Sequence, residues 1–329
     1  MRETLTGGPD VRANARHYTA AAWSLAALPA PMHKPDFPVR FLDMDLNKQF
    51  IKTKRPCADG FRWFLKHHQE GADYQPLLDA LVLAGRTGDA CWLLEQFGPT
   101  DTVLEVDAVE AGALVFAGSL LVRGGVEVDT VLVAGGGIRA GGGIRTGQGL
   151  TSGGDIRAGG MIRCGGTLAC GGDVGAQWNI EVAVDLRAAG NVRAGWDIAC
   201  GGAADIGGNC SAAHGIAFGA AARCGHGLRA GEGIEGEAAI RAGHGIEAGS
   251  NIACRDHLEA QWGIRAGGDI RAAGAIRAGE SLQAQHIEAG QGFGVYAGLA
   301  VREDNWAACA QVRSAQRPVR LFSGHWERP

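Results

Sequence analysis

Residues 138–173 consist of six hexads, which read IRAGGG, IRTGQG, LTSGGD, IRAGGM, IRCGGT and LACGGD. An aliphatic residue opens each hexad, and the frame runs from Leu114 to Leu282 without an insertion. The first position is small only at Ala204, Cys210 and Ala222. A short, fixed period of this kind is the signature of a solenoid. The repeat therefore decides the fold, and the rest of the chain is attached to it.

Each hexad predicts a three-residue strand followed by a corner. In Ile138-Arg139-Ala140 the first and third side chains point inward and the second points outward. The sixth position is usually Gly, Asn or Asp, which predicts a left-handed backbone conformation at the corner. Three hexads would close a triangular coil, and coils would stack at about 4.8 Å. The predicted fold is mainly β: a triangular parallel β-helix with a small N-terminal helical unit.

The flanking segments divide the chain into four parts. Residues 1–56 mix proline, charge and short apolar pieces and are predicted to be extended. Residues 57–98 show apolar side chains at helical spacing and predict a small helical unit that caps the solenoid. The solenoid is assigned to residues 99–299, and the bulky residues of 300–329 to a C-terminal cap.

The end of the repeat is irregular. After Leu282 the frame slips by one residue to Ile287, and it is predicted to return to sixes at Phe293 and Leu299.

Composition limits the cellular setting and the class of partner. The net charge of −4 gives no overall electrostatic case for nucleic acid or an anionic membrane. The 9 cysteines lie mostly inside the repeat as small fillers, which favours free thiols in a reducing compartment. The alanine-rich stretch from Thr19 to Met32 follows basic residues as a signal peptide would, but it is weakly apolar and predicts a short helix or tail. We expect a cytoplasmic protein.

The sequence contains no convincing catalytic or metal motif. Cys57, His67, His68 and Cys91 do not have the spacing of a standard zinc site. The histidines of the repeat have no nucleophile beside them in sequence, and Gly-x-Gly-x-x-Gly strings occur only as products of the repeat. We therefore predict no enzyme activity, no cofactor and no metal.

Large side chains at the fifth hexad position depart from the rule that corners are small. They are Trp178, Trp196, His214, His226, His244, Trp262 and His286. Six of them form two triplets with a spacing of 18 residues, which predicts two stacked columns on two different corners. Exposed aromatic clusters are typical of recognition surfaces, so we predict that these residues bind a partner. The alternative is that the rings cover the glycine-rich corners or pack on the terminal segments.

An arginine ladder occupies one 18-residue phase of the outward second positions. It comprises Arg139, Arg157, Arg193, Arg229 and Arg265, with Ser211 and Glu247 as interruptions. The mixture of charges favours a solvated, salt-bridged surface over a nucleic-acid track.

The repeat resembles bacterial hexad-repeat β-solenoids, above all bactofilins. The resemblance rests on units such as Gly-Asp-Ile-Arg-Ala at 154–158 and 268–272. It implies a right-handed triangular β-helix that polymerises end to end, although this chain carries additional segments at both ends. Hexapeptide-repeat acyltransferases are less similar, because arginine repeatedly occupies the second position here.

Three functions are compatible with these features. The leading hypothesis is a non-enzymatic protein-binding solenoid, for example an immunity or antitoxin-like protein that occludes a toxin. The alternative is a bactofilin-like, self-assembling cytoskeletal scaffold. The third is an enzyme like the hexapeptide-repeat acyltransferases.

Overall fold

The computed structural model describes residues 17–19, 46, 48–68 and 71–328. It confirms the predicted fold class, with parallel strands wound into a β-solenoid and a small helical unit near the N-terminus. The alanine-rich stretch after Thr19 lies outside the described residues. None of the helices in these ranges is long and apolar enough to cross a membrane.

Each coil contributes one strand to each of three parallel sheets, here named A, B and C. Sheet A contains His17–Thr19, Ala108–Ala111, Val126–Val128, Ile144–Thr146, Ile162–Cys164, Ile180–Val182, Ile198–Cys200, Ile216–Phe218, Ile234–Gly236, Ile252–Cys254, Ile270–Ala272 and Ile287–Ala289. Sheet B contains Val103–Val106, Ser119–Val122, Ile138–Ala140, Ile156–Ala158, Val174–Ala176, Val192–Ala194, Cys210–Ala212, Leu228–Ala230, Ile246–Ala248, Ile264–Ala266, Leu282–Gln283, Gln311–Arg313 and His325–Glu327. Sheet C contains Leu114–Phe116, Val131–Ala134, Gly149–Ser152, Leu168–Cys170, Leu186–Ala188, Ala204–Ile206, Ala222–Cys224, Ile240–Ala242, Leu258–Ala260, Ile276–Ala278, Val295–Tyr296 and Leu321–Ser323. Within a coil the chain passes from sheet B to sheet A and then to sheet C.

The core is a narrow column of stacked side chains. In a typical strand such as Ile156–Ala158 the first and third residues are buried and the second is exposed. The small first positions at Ala204, Cys210 and Ala222 fall in the coils where the third positions are large. Ile206 and Phe218 occupy those positions and are 1% and 2% exposed. Because protein interiors are close-packed, large third-position residues compensate for small first-position residues.

The corners do not use the left-handed conformation that the sequence predicts. Among the described residues, positive φ angles occur at Arg55 and at six glycines outside the regular hexads. Instead, sixth-position side chains form a hydrogen-bonded ladder between coils. The Asn191 side-chain oxygen, for example, accepts from the main-chain N–H of Asn209, at 2.9 Å. Asn and Asp are favoured at this position because their side-chain oxygen accepts a hydrogen bond from a main-chain N–H of the next coil.

The helical unit contains four helices, namely α1 (Lys48–Thr53), α2 (Ala58–His67), α3 (Tyr74–Leu83) and α4 (Thr87–Phe97). Helix α1 lies within the segment that the sequence predicts to be extended, and it buries Ile51. The unit packs on the outer surface of the first strand of sheet C, where Val115 is fully buried.

Gln75 of α3 satisfies the free edge of that strand. Its side-chain nitrogen donates to the Val115 carbonyl at 3.0 Å, and its oxygen accepts from the Ala117 N–H at 2.8 Å. The amide therefore pairs with the strand as another strand would, and an exposed edge is avoided.

At the other end, the predicted slip to Ile287 is confirmed, because this residue pairs with Ile270. The predicted return of the frame at Phe293 and Leu299 is wrong, since both side chains are exposed and Val295 takes the inward position. A turn through Gly292, at φ 88°, inserts the additional residues.

The C-terminal segment then continues the sheets. It contains a 3-10 helix (Glu303–Asn305), α5 (Trp306–Cys309) and three further strands, and it buries Val312 in the core.

Candidate binding surface

Two aromatic columns stand on two corners of the solenoid. The ring centroids of Trp196 and His214 are 4.5 Å apart and their planes differ by 5°. His226 and His244 stack at 4.8 Å, and His244 and Trp262 at 4.1 Å. Residues 18 apart lie one coil apart, so each coil adds one ring to its column. The predicted stacking is confirmed for these three pairs.

The tryptophans of the columns are exposed. Trp178, Trp196 and Trp262 have 64%, 54% and 51% of their surface accessible. Trp178 precedes Trp196 by one coil on the same corner, and its carbonyl accepts from the Trp196 N–H at 3.3 Å. A large apolar ring held at this exposure is available for contact with a partner.

His286 lies outside both columns. The one-residue slip places it at the sixth hexad position, where its carbonyl accepts from the Ile270 N–H. Its Nδ1 lies 2.9 Å from the Asp269 carboxylate. This hydrogen bond holds the pKa of the Asp269 carboxyl below its usual value. His286 therefore belongs to the ladder that begins with Asn251 and Asp269.

Both columns border the same sheet. The column Trp178, Trp196 and His214 follows three consecutive strands of sheet B, at the corner with sheet A. The column His226, His244 and Trp262 precedes the next three strands of sheet B, at the corner with sheet C. The outward surface of sheet B, named face B from here on, is thus bordered by aromatic rings on both sides.

The arginine ladder runs along the middle of face B. Its members are the exposed Arg139, Arg157, Arg193, Arg229 and Arg265. Two open depressions lie along this line. One of about 800 Å³ centres on Gly175, between Arg157 and Arg193. The other, of about 620 Å³, extends from Ser211 to Gln283, and Trp262 contributes to its lining.

The buried cysteines of the solenoid are not accessible for nucleophilic chemistry. Six of the nine cysteines are buried. Burial raises the pKa of the Cys170 and Cys200 thiols, and it raises that of Cys254 to about 11. The described ranges contain no group of three or more His, Cys, Asp or Glu side chains that could hold a metal ion.

The sequence predicts the rings and the ladder, but their common location on one face becomes clear only in the structure. The 18-residue spacing contains this information. Gly175 lies in register with the arginines of the ladder, Trp178 follows Gly175 by three residues, and His226 precedes Arg229 by three. These offsets place the two columns on opposite borders of the ladder. Gly175 itself was not recognised as the gap between two arginines.

One comparison with known proteins gives a match. Residues 44–98 match the family model of the YdhT N-terminal domain. This range contains all four helices of the helical unit and ends before the first strand that follows them, Val103–Val106. No curated protein and no solved structure matches the chain. The helical unit is thus similar to a known domain family, and the resemblance to bactofilins rests on the repeat.

Proposed function

We propose that this chain is a non-enzymatic, protein-binding β-solenoid and that face B holds the partner. The observation that supports this most is the pair of aromatic columns, which place Trp178, Trp196 and Trp262 in solvent on the borders of one face. Aromatic residues are enriched at the centres of protein interfaces, where burying a ring removes a large apolar area from water.

The rigidity of the rod supports this proposal. Face B is made of short strands locked to both neighbours by parallel pairing, for example Val174–Ala176 between Ile156–Ala158 and Val192–Ala194. A surface already held in its binding conformation loses little conformational entropy on association. One concrete form is an immunity or antitoxin-like protein, in which face B occludes the active site of a toxin. The free thiols favour a cytoplasmic setting.

Capture of the partner from a lysate of the native host tests the proposal. We expect wild-type protein to recover a partner that the triple variant Trp178→Ala, Trp196→Ala, Trp262→Ala recovers about tenfold less well, because the apolar anchors are lost. Val184 and Phe322 are also exposed but lie outside the columns, so the Val184→Ala, Phe322→Ala variant is the control. Equal recovery by the wild-type and triple-variant proteins would contradict the proposal.

A self-assembling scaffold is the second candidate, and one observation favours it. Val319 and Phe322, near the C-terminal end of the rod, are 100% and 65% exposed and could contact another copy. Sedimentation velocity separates the two functions. The binding proposal predicts a sedimentation coefficient that does not change with protein concentration, whereas end-to-end polymerisation predicts a steady rise that the Phe322→Ala substitution reduces.

A further inference from the structure

We infer that the partner of face B is an acidic protein surface whose carboxylates enter two gaps in the arginine ladder. This inference rests on the proposed function and names the chemistry of its partner. The Gly175 socket is defined as the gap between Arg157 and Arg193. The Ser211 socket is the gap between Arg193 and Arg229.

The first observation is a difference in ion pairing between the three faces. On sheet A, all three outward arginines of the described strands pair with a carboxylate: Arg145 with Glu127, Arg163 with Glu181 and Arg271 with Asp269. On sheet C, three of four do so: Arg187 with Asp185, and Arg241 and Arg277 with Glu259. On sheet B, Arg139, Arg193 and Arg265 have no carboxylate within 4.0 Å among the residues that the structure describes. Face B therefore carries three arginines to which the described part of the chain supplies no carboxylate partner.

The second observation is that the chain fills one such gap itself. From Arg157 onward an arginine stands on every second coil, and the residues between are Gly175, Ser211 and Glu247. Glu247 lies between Arg229 and Arg265, and its carboxylate is 2.6 Å from the Arg229 guanidinium. The gaps at Gly175 and Ser211 also lie between two arginines, but neither residue carries a carboxylate. A partner that supplied one at each gap would reproduce the contact that Glu247 makes.

The third observation is that the sockets have room. A Cβ atom at Gly175 would meet no heavy atom within 4 Å. The depression around this glycine also includes Ser211, so the two sockets are continuous. Trp178 and Trp196 stand on the border of the face at these coils and would contact the apolar surroundings of an entering carboxylate.

Two acidic groups at the border opposite Trp178, Asp155 and Asp173, are already engaged. Asp155 pairs with Arg157 at 2.9 Å. The main-chain N–H of Asn191, and then its side-chain amide, donate to Asp173 and hold the pKa of that carboxyl below its usual value. Arg193, which frames both sockets, remains without a carboxylate in the described ranges and is the charge that a partner would pair with.

The spacing favours protein over nucleic acid. Arginines on alternate coils are about 10 Å apart along the rod, given about 4.8 Å between neighbouring strands. Binding to nucleic acid typically depends on neutralising many closely spaced phosphates. Face B instead offers a few separated charges bordered by rings, which is the composition of an interface that pairs isolated carboxylates.

Filling the sockets from within tests the inference. In the filled-socket variant, Gly175→Glu and Ser211→Glu, each new carboxylate would lie between two arginines as Glu247 does. The control variant, Thr151→Glu and Ala169→Glu, adds the same charge to sheet C. The probe is fluorescein-labelled poly-L-glutamate, with binding followed by fluorescence anisotropy at low salt, and single-stranded oligothymidylate is the comparison ligand.

We expect wild-type protein to bind polyglutamate, and the filled-socket variant to bind it about tenfold or more weakly. The control variant should lose much less affinity than the filled-socket variant, because its charges lie on another sheet and not between the arginines of the ladder. Arg193→Gln, which adds no side chain to a gap, should also weaken binding. The inference is overturned if wild-type protein does not bind polyglutamate, if both double variants lose affinity equally, or if oligothymidylate binds more tightly.

The same variants, used in the capture experiment, separate this inference from the proposed function. If the filled-socket variant still recovers a partner that the triple tryptophan variant loses, the acidic-partner inference is wrong and the proposed function stands. If neither variant alters recovery, the proposed function fails as well.

Discussion

Replacing Phe218 with Ala is expected to lower the free energy of unfolding of the solenoid by about 3–5 kcal/mol, as is typical of a fully buried aromatic residue. Phe218 is 2% exposed, and its column holds only Cys200 in the coil before and Gly236 in the coil after. The neighbouring side chains are thus too small to fill the space that the ring leaves. The measurement is the urea concentration at the midpoint of unfolding, with unfolding monitored by far-ultraviolet circular dichroism.

Two control variants locate the cause of this loss. Phe218→Leu keeps most of the volume and should lose less stability than Phe218→Ala. Ala217→Ser changes the exposed neighbour in the same strand and should leave the midpoint within experimental error. A Phe218→Ala midpoint equal to that of wild-type protein would show that the ring does not fill the core at the coils with small first positions.

Replacing Val115 with Asp is expected to unfold the helical unit and leave the rod intact. Val115 is the outward-facing residue of the first strand of sheet C, and the helices bury it completely. A carboxylate there would be buried without a partner, which costs several kcal/mol in addition to the lost apolar contact. A helical unit of this size is marginally stable without its neighbour, whereas solenoid coils depend mainly on adjacent coils.

Limited trypsin digestion measures this separation. Cleavage after Lys66 and Arg86 should become fast in the Val115→Asp variant, while the hexad region stays resistant. Leu121→Asp is the matched control, because Leu121 holds the outward position of the first hexad strand of sheet B and is 36% exposed. If digestion of the rod and of the helical unit accelerated together, the two parts would unfold as one unit.

The regular part of the fold could be predicted because one geometric rule repeats. An aliphatic residue every six positions requires a strand at each hexad, as in Ile138–Ala140 and Ile156–Ala158, and the 18-residue phase fixes which strands pair. The same phase predicted that His226, His244 and Trp262 would stack. These contacts lie between adjacent coils, so the period alone specifies them.

Features without a period could not be predicted in this way. The amide of Gln75 pairs with a strand 40 residues away, and no local pattern announces that contact. The shift of the frame at Val295 depends on a glycine turn whose geometry is not periodic. The corner conformation was predicted wrongly because Asn and Asp have two uses, in left-handed turns and in side-chain ladders, and composition alone does not separate them.

Hydroxyl-radical footprinting of the complex with the captured partner tests most directly whether face B is the binding surface. Trp178, Trp196 and Trp262 are exposed in the free chain and should be oxidised readily. We predict that the partner protects all three while Phe322, near the C-terminal end, is oxidised as fast as in the free protein. Protection of Phe322 with unchanged oxidation of the three tryptophans would contradict this prediction.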